Sequence, residues 1–391
     1  MRERSPEWEY GAGLTKVLIT GGRGFLGRNL ASFLRERPDS TLAIFDAQDS
    51  SSALRDHLSR ADVVFHLAGV NRPKELAEFE TSNVGLTQEI CLFLRQLRRA
   101  PKIVFSSSIQ AELDNPYGVS KRKAEEVLRE FGVESGACVR IYRLKNLFGK
   151  WCRPNYNAVT ATFCHNIANN LPISISDPNH ELELSYVDDV VAAFADELSD
   201  QSHDGDPAAR IPSYCIRLGE LARRIQAFHD MRKTLAAPDF SDCFNRALYA
   251  TYLSCVPSLE RKHDLEVKSD QRGSLAEFIK QRHFGQIFVS RTKPGVTRGN
   301  HYHHTKIEKF FVLEGEAVIR MRHIEGQPVE EYPVKGTDYR VIDIPPGYTH
   351  SITNVGTGEL VTLFWSDELF DANRPDTYHL SVEADEEAAN G

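Results

Sequence analysis

Residues 17–30 read Val-Leu-Ile-Thr-Gly-Gly-Arg-Gly-Phe-Leu-Gly-Arg-Asn-Leu, an apolar run that breaks into glycines and then resumes with helical spacing. A chain with this sequence passes from a buried strand through a sharp turn directly into a helix, and few architectures accept that sequence of events. Gly21 permits the tight turn, Gly24 lets backbone approach a pyrophosphate, and Gly27 lets helix and strand pack closely. Leu26, Leu30, Phe33 and Leu34 recur on one helical face and are expected to form its buried stripe, with the positive N-terminus of the helix facing the phosphates. The implied ligand is a dinucleotide. Gly21, Arg23, Gly24, Phe25, Leu26 and Gly27 form its loop, with Asp46 after the second apolar run and Leu67 and Ala68 after the third.

Further short apolar runs alternate with helical patterns: 42–45, 63–67, 103–105 and 139–142. That alternation predicts a doubly wound parallel sheet covered by helices on both faces. The texture changes at an exposed loop from Gln201, and after about Ser254 it becomes short strands separated by turns, such as 286–290 and 317–321. The expected organisation is an N-terminal extension over 1–13, an α/β domain over 14–251, an all-β domain over 252–382 and a frayed acidic tail over 383–391. Two domains suit 391 residues.

A net charge of −8, without a basic stripe beyond short runs such as Arg95–Arg99, argues against a nucleic-acid partner. No apolar stretch approaches the ~20 residues that span a bilayer, and the first ten residues lack the apolar core of a secretory signal. The seven cysteines are scattered, with no Cys-x-x-Cys, which reads as reduced, buried thiols in a cytoplasmic protein.

Two groups of residues carry chemistry. Tyr117 and Lys121 stand four apart on a helical pattern, so phenol and ammonium share a face, and a nearby ammonium is expected to lower the phenol's pKa and make it a proton donor to a carbonyl. Ser106-Ser107-Ser108, at a strand end, offer hydroxyls to that carbonyl oxygen, and Ser108 is preferred. In the C-terminal half, His301 and His303 project from one strand face. Glu308 can join them only if the chain bends around Thr305 and Lys306, and His350 follows a Pro-Pro-Gly turn. Three imidazoles and a carboxylate suit zinc, iron, manganese or nickel. Lys306 and Tyr348 lie close enough in sequence to be candidates for proton transfer.

From Gly295 to Gly315 the spacing Gly-x5-His-x-His-x4-Glu-x6-Gly, followed by Pro345-x-Gly347-x2-His350-x3-Asn354, resembles the cupin signatures and implies a jelly-roll barrel. The first ~250 residues resemble an extended short-chain dehydrogenase/reductase, a Rossmann-type fold. The glycine loop, His66-Leu-Ala-Gly69, the serine run, Tyr117/Lys121, Arg143-Leu-Lys-Asn-Leu-Phe-Gly149 and Tyr186-Val-Asp-Asp189 occur in that family's order. The union is rarer than either part, and the whole chain is similar to bifunctional capsular-polysaccharide enzymes in which the two are fused.

That resemblance implies synthesis of UDP-N-acetyl-L-fucosamine. The cupin epimerises C3 of a UDP-4-keto-6-deoxy-N-acetylhexosamine, and the reductase converts the C4 ketone with NADPH to UDP-2-acetamido-2,6-dideoxy-L-talose. It implies zinc as the metal, NADPH held through Arg23 although Asp46 is placed to repel a 2′-phosphate, contacts from Asn146, Arg153 and Asn157 to the uridine diphosphate, and a homodimer paired through the cupin. Arg298-Gly-Asn-His301 also resembles metal-free sugar epimerases whose histidine is the base, so His301 stands as ligand or base. Two other readings remain open: a single-activity NAD-dependent epimerase or dehydratase with a structural cupin, and a redox-sensing binding protein without turnover.

Overall fold

The five apolar runs of the N-terminal half become five parallel strands: β1 (Thr15–Thr20), β2 (Ser40–Phe45), β3 (Val63–His66), β4 (Lys102–Ser108) and β5 (Val139–Leu144). They lie in the order β2-β1-β3-β4-β5 in a computed structural model that describes residues 13–199 and 205–383. The expected extension and acidic tail, apart from Gly13 and Glu383, lie outside the described residues, as does the start of the loop at Gln201.

Side-chain alternation divides the apolar residues of these strands between two cores. Val17, Ile19, Val63 and Phe65 pack with α1 (Phe25–Leu34) and α7 (Val187–Asp196). Leu18, Val64, Ile103 and Phe105 pack with α2 (Ser51–Arg60), α4 (Leu86–Leu97) and α5 (Pro116–Ser135). A helical turn, α3 (Ala77–Phe79), leads toward α4. Beyond β5, β6 (Asn146–Phe148), β7 (Glu181–Tyr186) and β8 (Tyr214–Arg217) form a second, smaller sheet, with α6 (Val159–Ala168) between β6 and β7. The buried stripe of α1 is Leu30, Ala31 and Leu34. Phe33 is 46% exposed, contrary to expectation: Ala31 and Leu34, one turn apart, already fill the line of contact with the sheet.

Two further helices follow, α8 (Leu218–Thr234) and α9 (Cys243–Cys255). The chain passes between two compact units at three places, not at one near residue 252: residues up to Gln226 and Arg246–Pro257 form the first, and residues 227–245 and those from Ser258 onward form the second. Residue 252 is Tyr252, buried within α9. The stretch 227–245 joins the second unit through backbone bonds, with Ala237 donating to the Lys280 carbonyl at 2.8 Å and Lys280 donating to that of Leu235 at 2.9 Å.

Among its described residues after 262 the second unit is β apart from a 3-10 turn at Gly336–Asp338. Among the described residues its eleven strands, β9 (Val267–Asp270), β10 (Gly273–Gln281), β11 (Gly285–Thr292), β12 (Thr297–Tyr302), β13 (Glu308–Glu314), β14 (Glu316–His323), β15 (Glu330–Lys335), β16 (Val341–Ile344), β17 (Tyr348–Asn354), β18 (Leu360–Ser366) and β19 (Tyr378–His379), make two antiparallel sheets. The orders are β16-β13-β18-β11-β10-β9 and β15-β14-β17-β12-β19. Phe310, Val312, Ile319, Met321, Ile344, Ile352 and Phe364 fill the core. This is the expected barrel architecture of two sheets.

All seven cysteines are free, as expected, but Cys138, Cys215 and Cys243 are exposed rather than buried. No helix among the described residues is long and apolar enough to cross a membrane.

Candidate active sites

The glycine loop sits at the carboxyl end of β1, between β2 and β3, where the winding direction of the sheet reverses and ligands of such sheets bind. Gly21 has φ of +71°, and a Cβ there would lie 2.7 Å from the backbone of Ala68. At Gly27 a Cβ would lie 2.2 Å from the Gly21 carbonyl oxygen, so any side chain would push α1 off the strand. Gly24 is the N-cap of α1 and supplies no side-chain acceptor, which leaves first-turn N–H groups, including those of Phe25 and Leu26, free for an anion. Asp46 Oδ2 accepts the Arg23 N–H at 2.7 Å, and Arg23 is exposed. Ala68 N donates to Thr20 Oγ1 at 3.3 Å, and Leu67 packs against the α1 core.

The catalytic candidates are placed by α5. Asn115 caps it, accepting the Gly118 N–H at 2.8 Å, and Pro116 opens it. A Cβ on Gly118 would lie 2.1 Å from the Gln110 carbonyl, so the helix is pressed onto the turn after β4, and Tyr117 comes over the serine run. The structure separates the three serines. Ser107 Oγ donates to Glu125 at 2.5 Å, Ser106 Oγ lies 3.5 Å from the His66 carbonyl, and Ser108 Oγ accepts the Gln110 N–H at 3.2 Å and is the serine that acts on the Tyr117 phenol.

Lys121 Nζ donates to the Ser106 carbonyl at 2.9 Å and lies 4.8 Å from the Phe105 ring centroid. Burial pushes its pKa down to about 8, against an opposing pull from Glu125. Contrary to the expectation that lysine depresses the phenol, burial raises the Tyr117 pKa, and the opposing influence is the Ser108 hydroxyl. The Lys121 ammonium is turned to the Ser106 carbonyl at the end of β4.

The first unit also holds a cavity of about 470 Å³, lined by Asn146, Asn155, Asn157, Arg72, Tyr156 and Thr160 among others. The sequence reading missed Arg72 and Thr160. Arg72 donates through Nη1 to the Tyr156 carbonyl, and Thr160 is 2% exposed with Oγ1 unpartnered in the first turn of α6. Arg153 does not line the cavity: its guanidinium lies 4.9 Å from the centroid of the Tyr156 ring. An uncapped helix start, a buried hydroxyl, three amides and a guanidinium form a surface suited to an anionic, hydroxyl-rich ligand.

In the second unit the four expected ligands converge, with one ligand atom from each of His301, His303, Glu308 and His350 all within 4.8 Å of one another. His301 and His350 are cross-strand partners on β12 and β17, and a bulge at Gly299–His301 aims His301 inward. Gly299, with φ of +104°, is required there, since a Cβ would lie 2.5 Å from the His350 carbonyl. The chain reverses after Tyr302 and starts β13, in the other sheet, with Glu308 facing inward alongside Phe310 and Val312.

The tautomers follow from the hydrogen bonds. His303 Nδ1 meets the Asp376 carbonyl, and His350 Nδ1 lies 3.2 Å from the Tyr348 carbonyl. A carbonyl only accepts, so each proton is on Nδ1 and each Nε2 lone pair is turned toward Glu308, at 3.5 and 3.3 Å. Both Nε2 atoms are buried and otherwise without a partner. Burial brings His301 down to about 4, so it is neutral near pH 7. Two imidazole lone pairs and a carboxylate oxygen pointing at one spot repel one another unless they share a cation, so the residues fit a divalent metal.

Beside the cluster is a cavity of about 220 Å³ bordered by His301, Glu308, Arg272, Arg298, Ser290 and Phe288, among others. Lys306 and Tyr348 do not line it. Lys306 is buried and donates through Nζ to the Pro375 carbonyl at 3.0 Å, and the Tyr348 ring packs edge-on to His323 at 5.1 Å.

Comparison with known proteins agrees with this division. Residues 17–206 match the NAD dependent epimerase/dehydratase family, and residues 268–378 match the polysaccharide biosynthesis C-terminal domain. The chain is 43% identical over 367 residues to UDP-2-acetamido-2,6-beta-L-arabino-hexul-4-ose reductase of Pseudomonas aeruginosa, covering 94% of this chain and 99% of the relative. Among solved structures, the capsular polysaccharide assembling protein CapF of Staphylococcus aureus superposes with a TM-score of 0.87 at 44% identity, covering 93% of this chain and 99% of that one. CapF with the inhibitor 3-isopropenyl-tropolone gives 0.83 at 40% identity, covering 94% of this chain and 100% of that one.

Proposed function

The chain belongs to the family of CapF and the UDP-sugar 4-ketoreductase of Pseudomonas aeruginosa, and on that premise we propose that it carries out two successive steps on one nucleotide sugar. The second unit epimerises C3 of a UDP-4-keto-6-deoxy-N-acetylhexosamine, and the first reduces its C4 ketone with NADPH. The product is UDP-2-acetamido-2,6-dideoxy-L-talose, a precursor of UDP-N-acetyl-L-fucosamine. One observation carries the reading: each unit holds its own cluster of reactive groups, Ser108/Tyr117/Lys121 in one and the three-histidine, one-carboxylate cluster beside a cavity in the other.

In the first unit, the reduced nicotinamide, when bound, supplies hydride to C4. Tyr117 gives its phenolic proton to O4 and Ser108 orients that oxygen. Lys121, a cation beneath the site, favours transfer by stabilising the phenolate as it forms. The 470 Å³ cavity takes the uridine diphosphate, with Asn146, Asn157, Arg72 and the start of α6 as its contacts and Arg153 at its margin.

In the second unit, His301, His303, Glu308 and His350 would hold a divalent cation, which supplies Lewis-acid polarisation of the C4 carbonyl and so makes the adjacent C3 proton acidic. Zinc suits the N3O donor set. The tropolone inhibitor of CapF supports a metal, because the adjacent hydroxyl and carbonyl oxygens of a tropolone form a chelating pair. Arg272 and Arg298 give the cavity a positive lining for an anionic substrate. The test is product analysis by NMR after incubation with the UDP-4-keto sugar. Deuterium from heavy water should enter C3 without NADPH, and the talo product should form only with it. Reduction without C3 exchange would leave the second unit structural.

Cofactor choice rests on two residues. Asp46, fixed at the loop by the Arg23 N–H, favours a free ribose hydroxyl, and the exposed Arg23 guanidinium favours a 2′-phosphate. Arg23→Ala is expected to lower kcat/KM about tenfold more for NADPH than for NADH, and Asp46→Ala to shift the ratio the other way. An unchanged ratio in Arg23→Ala would remove Arg23 from cofactor recognition.

A further inference from the structure

Asp376 lies outside the His-x-His and Pro-x-Gly-x-x-His stretches, near the C-terminal end of the described residues, yet it holds the metal-ligand turn at five points. Its carboxylate accepts the N–H of His304 at 3.0 Å, of Thr305 at 2.9 Å and of Lys306 at 3.0 Å, together with the Thr305 hydroxyl at 3.1 Å. Its backbone carbonyl accepts from His303 Nδ1. The residue adopts φ of +40°, a conformation costly for a side chain other than Asn or Asp and sustained here by those bonds. Neighbouring contacts keep the segment in register. Lys306 Nζ and Thr377 Oγ1 both donate to the Pro375 carbonyl, and β19 pairs with β12, His379 opposite His301 and Tyr378 opposite Tyr302.

We propose that Asp376 is a positioning residue for the metal centre. Its carbonyl sets the orientation and tautomer of His303, and its carboxylate sets the chain reversal that brings Glu308 to face His303 and His350. The carbonyl fixes the proton on Nδ1, which leaves the Nε2 lone pair for a cation. The three N–H groups it collects belong to the residues that immediately follow His303, so the turn cannot open without losing all three bonds at once. This also accounts for Lys306: its backbone and ammonium both serve the strap that holds the turn, so it is part of the site's frame.

The inference rests on the metal reading above, and its test separates the two. Full-length wild type, Asp376→Asn, Asp376→Ala and Asp376→Gly are stripped of metal. Zinc affinity is then measured by competition with a chromophoric chelator, and the melting temperature of each metal-free protein is recorded. Asn tolerates the left-handed conformation and keeps one acceptor oxygen, so it should retain most of the affinity. Ala and Gly should each lose roughly ten- to a hundredfold, the range expected for a partner that orients a ligand. Gly relieves the backbone constraint but supplies no acceptor. Wild-type affinity in Asp376→Gly would show that backbone conformation, not the carboxylate, is what matters and would overturn the proposal. An affinity in Asp376→Ala equal to wild type would also overturn it, as would losses that merely follow the fall in metal-free melting temperature without rescue by Asn. Absence of zinc binding by wild type would instead overturn the metal reading itself.

Discussion

Tyr117→Phe is expected to reduce ketone-dependent oxidation of NADPH by about 10²–10⁴-fold, because the phenol is the proton donor that the reduction requires. The substitution removes one hydroxyl that interacts with Ser108, so folding should suffer by at most about 1 kcal/mol and the loss of rate belongs to chemistry. Ser108 keeps its bond from the Gln110 N–H at 3.2 Å and stays in place. A second readout comes from Lys121. With its pKa pushed down to about 8, the ammonium is present below that pH and lost above it, so wild-type kcat should decline on the alkaline side. Exchange of the C3 proton for deuterium should persist in Tyr117→Phe. If exchange stopped while the protein stayed folded and metal-loaded, C3 chemistry would belong to the reductase site, and the single-activity reading would replace the two-step one.

What the sequence reveals depends on whether a residue's type is forced by its own backbone. Gly21 and Gly27 are legible because another backbone occupies the space where a Cβ would stand. The five parallel strands are legible because burial on both faces writes continuous apolar runs. His301, His303, Glu308 and His350 are legible because one strand, one reversal and one turn-strand unit place them, and each leaves a local pattern. Phe33 is misread because periodicity cannot say which of two adjacent apolar residues reaches the sheet. Lys306 and Tyr348 are misread for another reason. Proximity in sequence to a ligand says nothing of direction, and the direction of Lys306 is set by the Pro375 carbonyl, 69 residues along. Arg72, Arg272 and Asp376 are likewise ordinary loop or strand-end residues until the fold brings them to a cavity or a ligand turn.

The largest effect on the second site is expected from His350→Ala. This imidazole is fully buried on β17, opposite His301, and its Nε2 is one of the two orphaned lone pairs that face Glu308. Removing it takes away one of four ligands and leaves a polar void behind Phe310, whose ring centroid lies 5.6 Å away. The remaining three groups bind a cation more weakly than four, so elemental analysis should fall well below one metal ion per chain. C3 deuterium exchange should fall with it by at least about a hundredfold, as polarisation of the C4 carbonyl is lost. The reductase lies in the other unit and shares no catalytic group with this cluster, so NADPH oxidation with sugar already epimerised at C3 should continue near the wild-type rate. The decisive comparison is the ratio of the two rates within one preparation, which cancels any loss of folded protein. Equal loss of both rates would point to a folding defect. Wild-type exchange by metal-free His350→Ala would mean that the cluster is not what activates C3.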